Sequence, residues 1–206
     1  SRTERILIEE LSRARPGYGF LGEEGGTIEG KDKTHRFIID PIDGTTNFLH
    51  GIPHFAISVA LEREGQIVSA LVYNPANDDM FVAEKGHGAY LNNKRLRVGA
   101  RKTLNTALVA TGIPFQGHGD FARFDAELNS IMPSVAGIRR FGAASLDLAC
   151  VAAGRFDAFW ERDLSAWDIA AGLLLVKEAQ GMVSDLSNGT NMLESGTILA
   201  ANEGLQ

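Results

Sequence analysis

The stretch Phe37-Ile38-Ile39-Asp40-Pro41-Ile42-Asp43-Gly44-Thr45-Thr46-Asn47-Phe48 constrains the fold more than any other part of the chain. An apolar run delivers Asp40 to its end and reads as a buried strand over Phe37 to Asp40. Pro41 has no N–H and fixes its own φ, so strand pairing is expected to stop there. Asp43, Gly44 and two threonines follow, which predicts a tight turn and a helix start. Two carboxylates and several free backbone N–H groups would then converge on one point. Carboxylates bind hard cations such as Mg²⁺, and N–H groups at a helix start bind phosphate. A site offering both reads as metal-dependent phosphate chemistry.

Around this stretch the periodicity divides the chain in two. Thr3 to Ala14 reads as an amphipathic helix, with Leu7, Leu11 and Ala14 at helical spacing and Pro16-Gly17 ending it. Phe20 to Gly22 is a short strand, and Gly25 to Lys33 a polar loop. Phe55, Ile57, Val59 and Leu61 alternate with Ala56, Ser58 and Ala60, which is strand periodicity. Glu64-Gly65 turns the chain into a strand over Gln66 to Tyr73, ended by Asn74-Pro75. Met80 to Ala83 and a hairpin around Asn92-Asn93 continue a largely antiparallel sheet. From about Leu104 strands and helices alternate: strands at 107–110, 138–141, 156–160, 182–185 and 198–201, and helices at 121–131, 145–153 and 166–179. That pattern indicates a second α/β layer. The expected organisation is a strand-rich half, residues 1–103, and an α/β half, residues 104–206.

Composition limits the function classes. The chain has 206 residues, 44% hydrophobic and 22% charged, which is globular and long enough for one large or two small cores. A net charge of −6 argues against broad nucleic-acid binding, which needs a basic face. Cys150 is the single cysteine, so no intramolecular disulfide can form, which fits a cytoplasmic location. It shares a helix face with Leu146 and Ala149 and reads as core. No apolar run approaches the roughly 20 residues of a bilayer span, and Ser1 to Arg5 lacks the apolar segment of a signal peptide.

Asp40-Pro41-Ile42-Asp43-Gly44-Thr45-Thr46-Asn47-Phe48 resembles the first signature of the inositol monophosphatases. Trp167-Asp168-Ile169-Ala170-Ala171-Gly172, running on to Glu178-Ala179-Gln180-Gly181, resembles the second, and Gly22-Glu23-Glu24 resembles the acidic loop that precedes the first. Two long signatures and the Glu-Glu loop in the right order are far more specific than a lone short motif. Taken singly, each has a plainer reading: Asp43-Gly44 as a turn, Asp168 as a carboxylate at a helix start, Glu23-Glu24 as solvated charge.

The resemblance implies an α/β fold, a stacked α-β-α-β-α sandwich with the active site between the halves. It implies that Glu23, Asp40 and the backbone carbonyl of Ile42 hold one Mg²⁺, and that Asp40, Asp43 and Asp168 hold a second, with Asp40 bridging. Glu23 and Thr45 would orient a water activated by the metal, and the N–H groups of Gly44 and Thr45 would hold the phosphate. Asp43, Ala144 and Glu161 would contact substrate. Arg139 matches a family position that can form an ion pair at a subunit contact, His50 and His54 read as structural, and Glu24 as outside the first ring of ligands. The implied activity is lithium-sensitive hydrolysis of a phosphate monoester, foremost inositol monophosphate, by a homodimeric enzyme with no covalent nucleophile. Fructose bisphosphate, histidinol phosphate and 3′-phosphoadenosine nucleotides are rival substrates, the last disfavoured by the compact size. A regulatory protein that contacts the transcription machinery is the alternative. Family members also carry an N-terminal helical region, a helix after the last strand, and an Asp, placed immediately before Ser1, that partners the threonine matched by Thr45. Thr45 is therefore expected to lack that partner here.

Overall fold

The computed structural model describes residues 1–206 apart from Gln116. Eight strands form the first sheet: β1 (Gly19–Gly22), β2 (Gly26–Ile28), β3 (His35–Asp43), β4 (Ala56–Arg63), β5 (Gln66–Asn74), β6 (Asp79–Glu84), β7 (Gly88–Leu91) and β8 (Lys94–Arg95), in the order β2-β1-β3-β4-β5-β6-β7-β8. Every neighbouring pair is antiparallel except β1 with β3. Five strands form the second sheet: β9 (Leu108–Thr111), β10 (Gly137–Arg139), β11 (Ala158–Glu161), β12 (Met182–Ser184) and β13 (Ile198–Ala201), in the order β10-β9-β11-β13-β12.

Helices α4 (Ala144–Ala152) and α5 (Ala166–Glu178) lie between the two sheets, α5 touching β3 to β7 on one side and β12 and β13 on the other. Both are buried along nearly their whole length, as a helix that is apolar all round must be. Helix α1 (Arg2–Ala14) covers the far face of the first sheet, where Leu7, Ile8 and Leu11 meet Phe20, Phe37 and Ile39. Helix α3 (Phe121–Ile131) covers the far face of the second, where Phe124 and Ile131 pack against Val109 and Trp160. The result is an α-β-α-β-α sandwich. No helix of the described residues is long and apolar enough to cross a membrane.

Two features depart from the sequence reading. Gly25 to Lys33 is not all loop, because Gly26–Ile28 pairs with β1 as an antiparallel edge strand. Pro41 does not end β3. The strand bulges between Asp40 and Asp43, then pairs again at Asp43 with Ala56. A bulge leaves its extra residues outside the ladder, so the missing N–H of Pro41 costs no pairing bond, and the local bend re-aims the side chains on either side of it.

Strand β4 shows how the helix layer selects side-chain size. Its small residues Ala56, Ser58 and Ala60 are the buried ones and face α5, while Ile57, Val59 and Leu61 are half-buried on the α1 side. Close packing between α4 and α5 depends on Gly172, because a Cβ there would lie 2.5 Å from Leu148 Cβ. Gly172→Ala gains helix propensity but overpacks this contact, for a net loss of about 1–2 kcal/mol. Urea unfolding should show a lower midpoint for Gly172→Ala and a lower one still for Gly172→Val. A midpoint at or above that of the parent would show that the helices separate freely.

Candidate active site

The site is built at the ends of elements. Strand β3 carries Asp40 to the bulge, where its Oδ1 accepts the Ile42 N–H at 2.8 Å. This tight local bond holds the bulge and turns the Ile42 carbonyl outward, where it accepts from Thr45 Oγ1 at 2.9 Å. Gly44 then adopts φ 85°, the left-handed region, and starts α2 (Thr45–Leu49). A side chain at Gly44 is excluded twice over, since a Cβ would also meet Ala143, the His54 carbonyl and the Gly142 carbonyl at 3.1–3.2 Å.

The second half supplies the opposing wall. Asp43 reaches across to the start of α4, where one carboxylate oxygen accepts the Ser145 N–H at 2.8 Å and also the Ser145 hydroxyl. Asp168, at the start of α5, accepts the Ser165 N–H at 2.7 Å through Oδ2. It is thus a helix-start carboxylate, as its position in sequence also suggests, and its second oxygen remains for other work. Carboxylate oxygens of Asp40, Asp43 and Asp168 lie within 4.8 Å of one another. Three buried or half-buried carboxylates this close form an all-oxygen donor set that suits a hard divalent cation.

Their acidity is distorted by the same geometry. Burial, with the charges of Asp43 and Glu23 added, pushes Asp40 up to about 9. Burial, and then Asp43, pushes Asp168 up to about 7. Asp43 is also raised by burial, while its bonds from Ser145 and the Ala144 N–H pull the other way. Glu161, at the end of β11, rises to about 8 through burial and the charges of Asp43 and Asp168. Clustered carboxylates that resist ionisation are what a cation site looks like before its charge is balanced.

All nine residues marked out from the sequence line one cleft of about 380 Å³: Glu23, Asp40, Ile42, Asp43, Gly44, Thr45, Ala144, Glu161 and Asp168. Glu23 stands exposed at the end of β1, its N–H donating to the Ile39 carbonyl at 3.2 Å. Glu24 is exposed and lines no part of the cleft. His50 is exposed on the turn after α2, Cys150 is buried in the core as expected, and Arg139 is exposed, its guanidinium bonded to the Ile138 carbonyl.

Sequence reasoning missed several residues here. Ser145 orients Asp43 from 102 residues away, and an ordinary Ser in an alanine-rich segment gave no signal. Arg140, which with Arg139 lies just upstream of Ala144 in the sequence, lines the cleft and opposes the upward shift of Glu161. The segment Ile113–Phe115 with His118 forms an apolar and aromatic rim. Arg162 also lines the cleft and is tied to Glu127 at 2.7 Å.

A cleft with an oxygen donor cluster at its floor, a glycine-led helix start beside it and carboxylates along its wall defines a metal-dependent phosphate-handling enzyme. The model of the inositol monophosphatase family matches residues 1–206, and the chain belongs to that family of metal-dependent phosphomonoesterases. It is 62% identical over 202 residues to the inositol-1-monophosphatase of Rhizobium meliloti, covering 98% of this chain and 76% of the relative. It is 50% identical over 204 residues to the Nus factor SuhB of Pseudomonas aeruginosa, covering 97% and 75%. The crystal structure of the extragenic suppressor protein suhB from Bartonella henselae superposes with a TM-score of 0.96 at 52% identity, covering 98% of this chain and 79% of that one.

The raised carboxylates make stability depend on pH. Asp40, Asp43, Asp168 and Glu161 all have folded-state pKa values above their unfolded ones. Without a cation the folded protein therefore binds more protons than the unfolded chain. The stabilisation is fully present below the ordinary carboxylate range, falls as pH rises above that range, and is gone once Asp168, Glu161 and Asp40 have ionised at about 7, about 8 and about 9. In EDTA the melting temperature should fall steadily over this rise in pH, and a divalent cation should flatten the fall. A melting temperature independent of pH in EDTA would show that the carboxylates are not destabilised together.

Proposed function

We propose that this protein hydrolyses inositol monophosphate to inositol and phosphate with Mg²⁺ as its cofactor. The observation that carries this reading is the convergence of Asp40 and Asp43 from the first half with Asp168 from the second. In this reading Glu23, Asp40 and the Ile42 carbonyl hold one cation, and Asp40, Asp43 and Asp168 hold another. Divalent cations there supply Lewis acidity toward the phosphoryl oxygens and lower the pKa of water. The division into residues 1–103 and 104–206 belongs to the same reading, with the first half giving most cation ligands and the second giving substrate contacts.

The chain's own groups have distinct tasks. Thr45 and Glu23 orient the attacking water, and the bond from Thr45 to the Ile42 carbonyl supports this by fixing the hydroxyl beside a proposed ligand. The N–H groups of Gly44 and Thr45 have no carbonyl one turn back to bond, which leaves them for phosphate oxygens. Asp43, Ala144 and Glu161 face the leaving group. Glu161, held at a raised pKa, can donate to or accept from a sugar hydroxyl. Among rival substrates, inositol monophosphate is favoured by the names of relatives more than half identical to this chain.

Asp40→Asn removes a charge shared by both cation positions. Turnover should fall by several decades, each worth about 1.4 kcal/mol of barrier. Melting temperature in EDTA should hold or rise, because one member of a mutually repelling set is gone. A phosphatase screen with Mg²⁺ or EDTA over inositol phosphates, fructose bisphosphate, histidinol phosphate and phosphoadenosine nucleotides tests both parts. Turnover within about tenfold of the parent would sink the bridging role. Li⁺ should inhibit uncompetitively, and rates unchanged by Li⁺ would contradict the second cation position.

A second reading rests on the Nus factor name of the Pseudomonas aeruginosa relative. On that reading the protein, as a cytoplasmic homodimer, also contacts the transcription machinery through a surface away from the cations. Capture of RNA polymerase components by Asp40→Asn as well as by the parent would support it, and loss with Asp40→Asn would not.

A further inference from the structure

Among the described residues, two buried side-chain polar atoms have no hydrogen-bond partner, His54 Nε2 and Asp147 Oδ1. They face each other at 3.8 Å. Buried polar atoms are nearly always paired, so two complementary ones left open toward each other call for an explanation. Neither atom belongs to the set that lines the cleft, and sequence reasoning gave His54 only a structural role.

Their surroundings place them at the joint between the halves. His54 follows α2, and its backbone carbonyl sits against Gly44 and accepts the Asn47 side-chain amide at 2.8 Å. The same amide donates to the Phe141 carbonyl at 2.7 Å, and the His54 ring lies 5.0 Å from the Phe141 ring. Asp147 sits in the first turn of α4, two residues after the Ser145 that grips Asp43, and its side chain is 1% exposed. The charged groups that act on Asp147 are Glu161 and Asp43, against it, and Arg140, for it. One proton suffices to join the pair, either as imidazole N–H to carboxylate or as acid O–H to imidazole nitrogen. Closing the gap requires a shift of less than about 1 Å to reach ordinary hydrogen-bond length.

We propose that His54 and Asp147 are a positioning pair for the active site. Their hydrogen bond spans the two halves and locks the first turn of α4 against the Gly44–Thr45 turn. Ser145 is thereby held where it orients Asp43, while Gly44 and Thr45 are held where they meet the phosphate. The inference rests on the reaction proposed above, because orienting Asp43 matters to catalysis only if Asp43 serves there.

The test uses His54→Phe, which keeps a ring on Phe141 without the nitrogen, Asp147→Leu, which keeps volume without oxygens, the double variant, and Asp147→Asn, which can still hydrogen-bond. Mg²⁺-dependent turnover of inositol monophosphate and calorimetric Mg²⁺ binding are measured for each. A small displacement of reacting groups costs up to about 10²-fold, so His54→Phe and Asp147→Leu should each lower kcat and weaken Mg²⁺ binding by about tenfold. KM should move by less than about threefold, Asp147→Asn should stay within about threefold of the parent, and the double variant should be no worse than the poorer single one. The imidazole nitrogen signals of His54 in the parent should report a hydrogen-bonded ring.

Losses that multiply in the double variant, an Asp147→Asn as impaired as Asp147→Leu, or a lowered melting temperature with kcat and Mg²⁺ binding intact would each overturn the proposal. If Asp147→Leu does not fold, His54→Phe, Asp147→Asn and the imidazole signals decide, and a free-imidazole signal overturns it. A parent protein inert toward every phosphate monoester defeats the proposed reaction, and Mg²⁺ calorimetry with the imidazole signals then judges the pair. An active parent with uncoupled variants defeats the pair alone.

Discussion

Asp43 gripped by Ser145 is the interaction on which the rest of the arrangement turns. It is a buried carboxylate whose donors come from the other half of the chain, 102 residues away. A buried acid without donors would be driven to its neutral form. The donors counter part of that push while Asp43 stands beside Asp40 and Asp168. The bond also sets the separation of the two halves at the cleft floor, because the bulge of β3 and the first turn of α4 must meet for it to form.

The helix layer makes that meeting repeatable. Helices α4 and α5 are buried along nearly their whole length between two sheets, so neither can rotate without breaking close packing on both sides. Their close approach at Gly172 and the small residues of β4 facing α5 fix their depth. Asp168 and Ser145 stand at the starts of these two helices. Rigid elements therefore carry the groups whose positions matter, and the loops between them need only close the connections.

Charge balance is the complementary constraint. Asp40, Asp43, Asp168 and Glu161 all lie where burial and mutual repulsion oppose ionisation. The described residues lining the cleft include two arginines, and Arg162 is already paired with Glu127. Protein cations alone are thus a poor match for the negative charge gathered there, and a divalent cation is the natural counterpart. The raised pKa of Glu161 adds a group that can act as donor or acceptor toward a hydroxyl near neutral pH.

Much of this was legible in the order of residues. The apolar run before Asp40, the left-handed glycine after Asp43 and the apolar periodicity of α5 are local rules, and the β3 and α5 elements followed them, apart from the bulge that carries β3 past Pro41. The edge strand Gly26–Ile28 was missed because nothing within a glycine-rich polar segment reveals that a partner strand waits beside it. Ser145 and Asp147 gave no sign of their placement, since each acquires its meaning from a neighbour scores of residues away. The sequence by itself determined which elements form and which carboxylates end them, because propensity, turn chemistry and periodicity act over a few residues. Only the tertiary structure decided which donor grips which acid and how far each pKa moves, because burial and Coulomb interaction depend on distances through space that no local pattern encodes.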